Sequence, residues 1–360
     1  MLGYCTNVHR GNTFHDVLEN IRTICMPICQ QNSIDVGTGL WLSNQASLEV
    51  NIPQLKDTLL ECNVEVFTLN GFPYGDFHSK IVGHDVYEPN WSHPDRLEYT
   101  MRLATILAEI VRGTEAGIST VPLGWNAAFF KNKDAARMLQ KCVKQLAELE
   151  DNTGVCIHID IETEPGCRLQ RSEEFAVFIN TYFDGDEQAR KHLRVCHDTC
   201  HGAVMHESAE EACSNYKQAG LIIGKVQLSS AIEVEITNEN NTACVRDLRS
   251  IAEPKYLHQT TVMDNHCLTF YENLSEISFD NPSGLWRVHF HVPIHLESIG
   301  ALGTTQKTLK EDIVVLLGEG VTDWEVETYT WDVIPTELRI GELVDSISKE
   351  LSWAASQLYT

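Results

Sequence analysis

The sequence predicts a closed (β/α)8 barrel, and three observations carry that prediction. Short apolar strands alternate with helical stretches almost from end to end, the pattern of a parallel sheet built from βαβ units. The turn after the first strand, CTNVHRGN, lacks the GxGxxG of a doubly wound nucleotide-binding sheet. Polar residues fall at the ends of successive strands, where α/β barrels carry their sites.

The elements follow in order. A strand is read at about 2–5. After Thr13, the residues Phe14, Val17, Leu18, Ile21, Ile24, Cys25 and Ile28 recur at helical spacing. Next come a strand near 34–40, a helix near 48–62 and a strand near 64–69. A long loop carries NGFPYGDFH and YEPNWSHPD, and a helix covers 96–112. The strand 117–122 leads to a helix over 134–149. VCIHIDIETEP reads as a strand, followed by a helix over 172–182. LRVCHDTCH is a strand running into a loop, and ESAEEACSNYKQAG is a helix stopped by Gly220. LIIGKVQLSSA, LWRVHFHVP and WEVETYTW are further strands. A helix over 335–357, with Pro335 in its first turn, closes the chain. These are nine strand candidates, one more than a barrel needs. The irregular stretch at about 231–285, with polar TNENNT and a hairpin pattern, is read as an insertion. No repeat or Pro/Gly-rich linker divides the chain, so 1–360 is expected to be one domain.

Composition excludes some classes. The 360 residues hold 51 Asp and Glu against 27 Lys and Arg, a formal charge of −24. That opposes nucleic acid, whose phosphates need Lys and Arg, and no nucleic-acid partner is expected. Most of this acidity serves solubility, and clustered carboxylates also attract divalent cations. The 12 cysteines include no CxxC pair, which points to a reducing cytoplasm without disulfides. MLGYCTNVHRGNTF has no signal-peptide pattern, and no apolar run is long enough to span a membrane. A cytoplasmic location is expected.

The strand-end residues suggest a metal site. Glu164 ends IHIDIETE, Asp198 and His201 follow LRVCH, His289 and His291 lie in HFH, and Glu327 lies in WEVETYTW. His289 and His291 are two apart and share one side of a strand. Carboxylates mixed with imidazoles suit Zn²⁺ or Mn²⁺ better than Mg²⁺. Singly, each such residue is more often structural; six at successive strand ends are expected to form a site. Gln227, Asn7, His9, Asn70, Trp91 and Trp331 are candidate substrate contacts, although a capping role for Asn7 is as reasonable. Tyr4, Phe72, Tyr74 and His78 are weaker candidates. Trp91 is a candidate lid residue, because long loops at barrel mouths often cover the site, although these aromatics could equally pack the loop down. His15, His84 and His93 are expected at the surface.

This pattern resembles the xylose-isomerase-like barrels, a superfamily of sugar isomerases, epimerases and apurinic-site endonucleases. In the epimerases a metal-binding glutamate precedes proline, as in Glu164-Pro165, and an aspartate precedes a substrate-contacting histidine by three, as in Asp198 and His201. Glu327 matches their last-strand glutamate. More narrowly, YCTNVH, ISTVPLGW, EPGC, DTCH, QLSSA, HFHVP and ETYTW together resemble the EboE metabolite traffic family over most of the chain. That resemblance implies a small-molecule metabolite as ligand, and partners encoded in the same biosynthetic or transport cluster of secondary metabolism. Two positions depart from the epimerases. Gln227 stands where they carry a metal-binding histidine, and Gln170 where they carry a substrate-binding glutamate. His289 or His291 would then have to supply the missing nitrogen.

Three functions fit. The first is a divalent-metal isomerase or epimerase, with Glu164 and Glu327 moving a proton. The second is a metabolite carrier that kept the barrel and lost turnover, motivated by Gln170 and Gln227. The third is a metal-dependent hydrolase of the endonuclease branch, motivated by the paired histidines.

Overall fold

The computed structural model describes residues 1–237, 239–336, 339 and 341–359. Leu2–Cys5 (β1), Gly37–Trp41 (β2), Glu65–Asn70 (β3), Glu115–Thr120 (β4), Cys156–Glu162 (β5), Leu193–Asp198 (β6) and Ile223–Leu228 (β7) are parallel strands joined through helices. The chain then leaves the barrel. Ser230–Ile236 (β8), Thr260–Asp264 (β9), Cys267–Tyr271 (β10), Gly284–Val292 (β11), Ser298–Ile299 (β12) and Leu302–Thr304 (β13) form an antiparallel sheet in the order β10-β9-β11-β8-β13-β12. Trp324–Val326 (β14) returns between β7 and β1 and closes the barrel.

The (β/α)8 barrel is therefore as the alternation predicts, and the insertion is longer than expected. It runs from β8 through β13, and it contains LWRVHFHVP as β11. This extra strand candidate is thus no stave of the barrel. It pairs antiparallel with β8 and β9. An apolar run alone cannot distinguish a parallel stave from a buried antiparallel strand.

Local chemistry sets the helix ends. Thr13 and Asp16 form a reciprocal capping box that starts the helix after β1. The helix expected over 48–62 is two, Asn44–Glu49 and Ile52–Cys62. Asn51 caps the second through Gln54 N–H, and Pro53 fits its first turn. The last helix is Leu343–Leu358, not 335–357. Gly341, at φ +80°, takes a left-handed conformation that a right-handed helix cannot include. Residues 337, 338 and 340 of the expected helix lie outside the described residues.

The barrel interior is polar. Along β5, Ile157, Ile159 and Ile161 face the helices, while His158, Asp160 and Glu162 alternate with them and face inward. Neighbouring strands supply glycines opposite these side chains. A Cβ at Gly117 or Gly224 would lie 2.0 or 2.1 Å from an Asp160 carboxylate oxygen, and one at Gly39 would lie 1.4 Å from Glu325 Oε1. Midway up, the Lys225 ammonium meets Glu325 Oε2 at 2.6 Å and Asn70 Oδ1 at 3.1 Å, and Asn70 Nδ2 donates to Glu325 Oε1. Burial works to discharge Lys225 and is the largest single influence, but the charge and hydrogen bond of Glu325 together with the nearby Cys196 and Cys5 outweigh it and hold the pKa above the ordinary lysine value.

At the rim, Glu350 of the last helix accepts from Ile294 N–H and Thr328 O–H, tying that helix to the end of the insertion and to the residues after β14. Burial pushes its carboxyl up to about 7.

Two outcomes follow from these buried charges. Lys225→Met leaves Glu325 unpaired and is expected to cost about 3–5 kcal/mol, while Lys225→Met with Glu325→Leu recovers most of that loss. Chemical denaturation checks it, and a double variant no better than the single would refute the pairing account. For Glu350 the folded pKa lies above the unfolded value near 4.5. The neutral carboxyl is therefore the compatible form, and stability falls as pH rises from about 4.5 to about 7 and then levels. Glu350→Gln is expected to match the parent near pH 4.5 and to exceed it above pH 7 by on the order of 3 kcal/mol. Urea unfolding at the two pH values reads this, and equal pH slopes would count against it.

Candidate metal centre

Strand ends and the insertion meet at one mouth of the barrel. Asp198 ends β6 and caps the short helix Thr199–Val204, its Oδ1 accepting from His201 N–H at 3.0 Å. That cap explains the Asp-x-x-His spacing. It fixes the backbone of His201 and places the ring beside Asp198, whose Oδ2 lies 4.0 Å from His201 Nε2. Glu162 ends β5, Glu164 follows two residues on, and Glu327 follows β14. The β8–β11 ladder is irregular between Val288 and Val292. Such bulges re-aim side chains beside sites, and His289 and His291 lie within this one.

Three imidazoles converge. His201 Nε2 is 3.1 Å from His289 Nε2, which is 3.2 Å from His291 Nε2. Each Nδ1 faces a carbonyl oxygen: that of Thr163 for His201, the Gln259 amide for His289, and that of Glu327 for His291. A carbonyl only accepts, so each Nδ1 carries a proton, and in a neutral ring Nε2 keeps the lone pair. Burial holds His289 well below the usual imidazole range. It brings His291 to about 4 despite the opposing pull of Asp198. Burial thus favours the neutral form of His289 and His291, the form that binds metal.

The carboxylates complete the site. Asp198 Oδ1 accepts from Ser229 O–H, while its buried Oδ2 has no partner among the described residues. Burial would raise its pKa, but His201, His291 and two hydrogen bonds hold it below the usual carboxylate range. Glu164 Oε1 accepts from Tyr87 O–H at 2.7 Å and Gln259 N–H at 3.2 Å. Burial first, and then neighbouring carboxylates, raise Glu162 and Glu327 well above the ordinary value.

The residues present fit a divalent ion. Lone pairs facing each other at 3.1–3.2 Å repel unless a cation lies between them. Tetrahedral zinc with bonds of about 2.0–2.1 Å would set its nitrogens roughly 3.3 Å apart. Ligand atoms lie within 4.8 Å of one another in the groups Glu164, His201, His289 and Asp198, His201, His291, and Cys200 joins His289 and His291 in a third. Glu327 belongs to none of these groups. It faces the same cleft, and its Oε1 accepts from Asn7 Nδ2 at 2.6 Å.

The other predicted contacts divide. Asn7, Asn70 and Phe72 line the cleft, which encloses about 560 Å³ including its mouth. The Asn70 amide is already engaged by Glu325, Lys225 and Ser119. His78 is buried and bonds the Asn7 carbonyl. Four substrate candidates do not reach the cleft. His9 is buried against the Tyr4 hydroxyl. Gln227 lies in the barrel floor, 3.2 Å from Cys196 Sγ. Trp91 is fully buried with its N–H on Thr120, so it is no lid. Trp331 stacks with the Arg339 guanidinium beside a separate small cavity. Of the long loop, Phe72, Phe77, Val82 and Tyr87 border the cleft instead.

Sequence reasoning missed Glu162, Gln259, Tyr87 and Tyr329. Glu162 was findable, because it shares the inward parity of Asp160 and Glu164. Gln259 holds both Glu164 and the His289 Nδ1–H. It sits in the insertion, where no periodicity marks it.

No protein-family model matches the chain, and no curated protein matches it. Solved structures do match. 3-Keto-D-glucoside 4-epimerase YcjR from E. coli is 14% identical, covers 99% of this chain and 98% of its own, and gives a TM-score of 0.51. D-allulose 3-epimerase from Methylomonas sp. is 11% identical over 99% of this chain and 97% of its own, at 0.54. The IOLI protein, which binds a zinc atom, is 11% identical over 99% and 97%, at 0.51. The shared fold is the xylose-isomerase-like barrel. Among the described residues no helix is long and apolar enough to cross a membrane.

Gln259 gives this geometry a test. Residues that orient a ligating histidine typically change metal affinity 10–100-fold. Gln259→Leu is expected to weaken zinc binding by about that factor, and His289→Ala by more. Calorimetry on chelator-stripped protein measures both. Unchanged affinity in both variants would mean that zinc binds elsewhere.

Proposed function

We propose that the chain is a divalent-metal-dependent isomerase or epimerase acting on a small hydroxylated carbonyl metabolite. The observation that carries this is the convergence of three imidazoles and Asp198 at a barrel mouth, with Glu327 facing the same cleft but standing apart from the ligand groups. His201, His289, His291, Asp198 and Glu164 would hold the ion, for which zinc or manganese suits the donor set. Such an ion polarises a substrate carbonyl and spreads the charge that develops as the adjacent carbon loses its proton. A carboxylate bound to metal is a weak base, which favours Glu327 as the group that takes the proton. Asn7 N–H holds Glu327 in place. Glu164, bound loosely to the ion and starting protonated in keeping with its burial-raised pKa, would give its own proton to the opposite face of the carbon while Glu327 keeps the one it took. The epimerase activities named for YcjR and for the Methylomonas protein, and the zinc of the IOLI protein, support this reading by analogy. The EboE-like motifs support placing the metabolite in secondary metabolism.

A second reading has its own observation. The groups around Glu164 and around Asp198 share His201, an arrangement that would suit two ions and a hydrolase. Elemental analysis separates the two, since one ion per chain counts against hydrolysis by a metal pair.

Glu327→Gln is expected to lower deuterium wash-in at the substrate carbon by at least about 100-fold, the usual contribution of a positioned base, with metal content unchanged. Wash-in at the parent rate would remove Glu327 from the mechanism.

A further inference from the structure

The cleft changes character with depth. Its floor is polar, formed by Glu162, Glu164, Glu327, His201, His289 and Asn7. Its upper walls are apolar, formed by Phe72, Phe77, Val82, Val86, Tyr256 and Leu257. Trp41, Phe77, Val82, Tyr256 and Tyr329 make a hydrophobic cluster of their own, distinct from the barrel core. Aromatic rings connect the two levels. Tyr329 lies 4.6 Å from the His291 ring, Phe77 lies 5.3 Å from Tyr329, and Tyr256 lies 5.2 Å from Phe77. The long loop and the insertion form these walls together. Val82 N–H and Gly83 N–H donate to the Lys255 carbonyl, and Tyr256 O–H donates to the Phe77 carbonyl.

Among the described residues, none of the lining side chains is a lysine or an arginine. The Lys225 ammonium below the floor is engaged by Glu325 and Asn70, and that of Lys255 lies over the Tyr256 ring, 4.8 Å from its centroid. A phosphate or carboxylate on the substrate would therefore find no cationic side chain in the cleft, and beyond a single divalent ion it would face several carboxylates. Burying an unpaired anion costs far more than burying a neutral group. An apolar group entering between Phe77, Val82 and Val86 would gain from its removal from water.

We propose that the substrate is an uncharged, two-part molecule, with a hydroxylated carbonyl head at the carboxylates and histidines and an aromatic or alkyl substituent between the apolar walls. The placement of the head rests on the isomerase reading; the neutrality and the apolar substituent rest on the walls alone. Phosphorylated sugars, and free sugars lacking a substituent, are disfavoured on this view.

The test uses ketoses matched at one position. D-fructose and D-tagatose are each offered to the zinc-loaded protein as the free sugar, the 6-phosphate and the 6-O-benzyl ether. Binding is read by calorimetry and exchange by deuterium wash-in. The expected result is benzyl ethers binding at least about tenfold tighter than the free sugars, with the phosphates weakest. Val86→Arg is expected to reverse the order of phosphate and ether. Phosphates binding as well as the ethers, equal binding of free and benzylated sugars, or no binding by either ether would overturn the proposal. Tight binding of the ethers without wash-in would instead sink the isomerase reading and leave this one standing. Wash-in with no preference among the three forms would do the opposite.

Discussion

Three imidazole Nε2 atoms aimed at one another are the constraint on which the rest of this barrel mouth depends. Each ring is fixed from behind, because its Nδ1–H is committed to a carbonyl oxygen. None of the three can turn to relieve the repulsion without giving up that bond in a buried setting, where an unmade hydrogen bond is expensive. Protonation would relieve it too, but burial opposes charge on His289 and His291. A divalent cation satisfies all the conditions at once, and it also gives the free oxygen of Asp198 a partner.

That constraint explains why the insertion matters. Of the three rings, the barrel supplies only His201. The other two arrive on β11, bent by a ladder irregularity, and Gln259 arrives just before β9. Gln259 then joins three separate parts of the chain. Its oxygen holds His289, its nitrogen reaches Glu164 at the end of β5, and the same nitrogen reaches the Tyr87 hydroxyl on the long loop. A shift of the insertion would move the metal ligands and the cleft wall together. The polar floor and the apolar walls are thus positioned by one element, which links the binding of a substituent to the geometry of the ions' ligands.

The barrel was legible in the sequence because its strands and helices announce themselves through two different periods, and the bounds of β1 and of the helix Ser172–Tyr182 were read to the residue. Glu164, Asp198 and His201 were legible because strand ends and an N-cap fix them locally. His289 and His291 were expected with them from the HFH spacing, but the route by which they reach the site was not legible. It depends on β11 leaving the barrel and folding back over its mouth, a pairing between segments that no local pattern encodes. Trp91 stayed open between two readings for a related reason. An aromatic residue in a long loop reads equally as lid or as anchor, and only the depth of the groove beneath it decides; here its indole N–H finds Thr120 and the ring is sealed in. Gln227 looked like a damaged ligand, yet it is a floor residue, and the insertion brings the nitrogens from elsewhere.

The interior below the site shows why the charge deficit sits where it does. Barrels of this type usually fill their cores with branched aliphatic side chains, and here glycines on β2, β4 and β7 make room for carboxylates. In the middle layer Glu325 has its own cation, Lys225, and Asn70 satisfies the remaining positions of both. In the layer above, Glu162, Glu164, Asp198 and Glu327 stand beside histidines, and among the described residues no lysine or arginine side chain lines the cleft. A fold that had only to be stable would pair or remove those charges, because buried ionic groups seldom stabilise by themselves. The protein balances charge in the layer that only supports the barrel and leaves it unbalanced in the layer that faces the cleft. The missing positive charge is thereby confined to the place where the imidazole nitrogens can hold it.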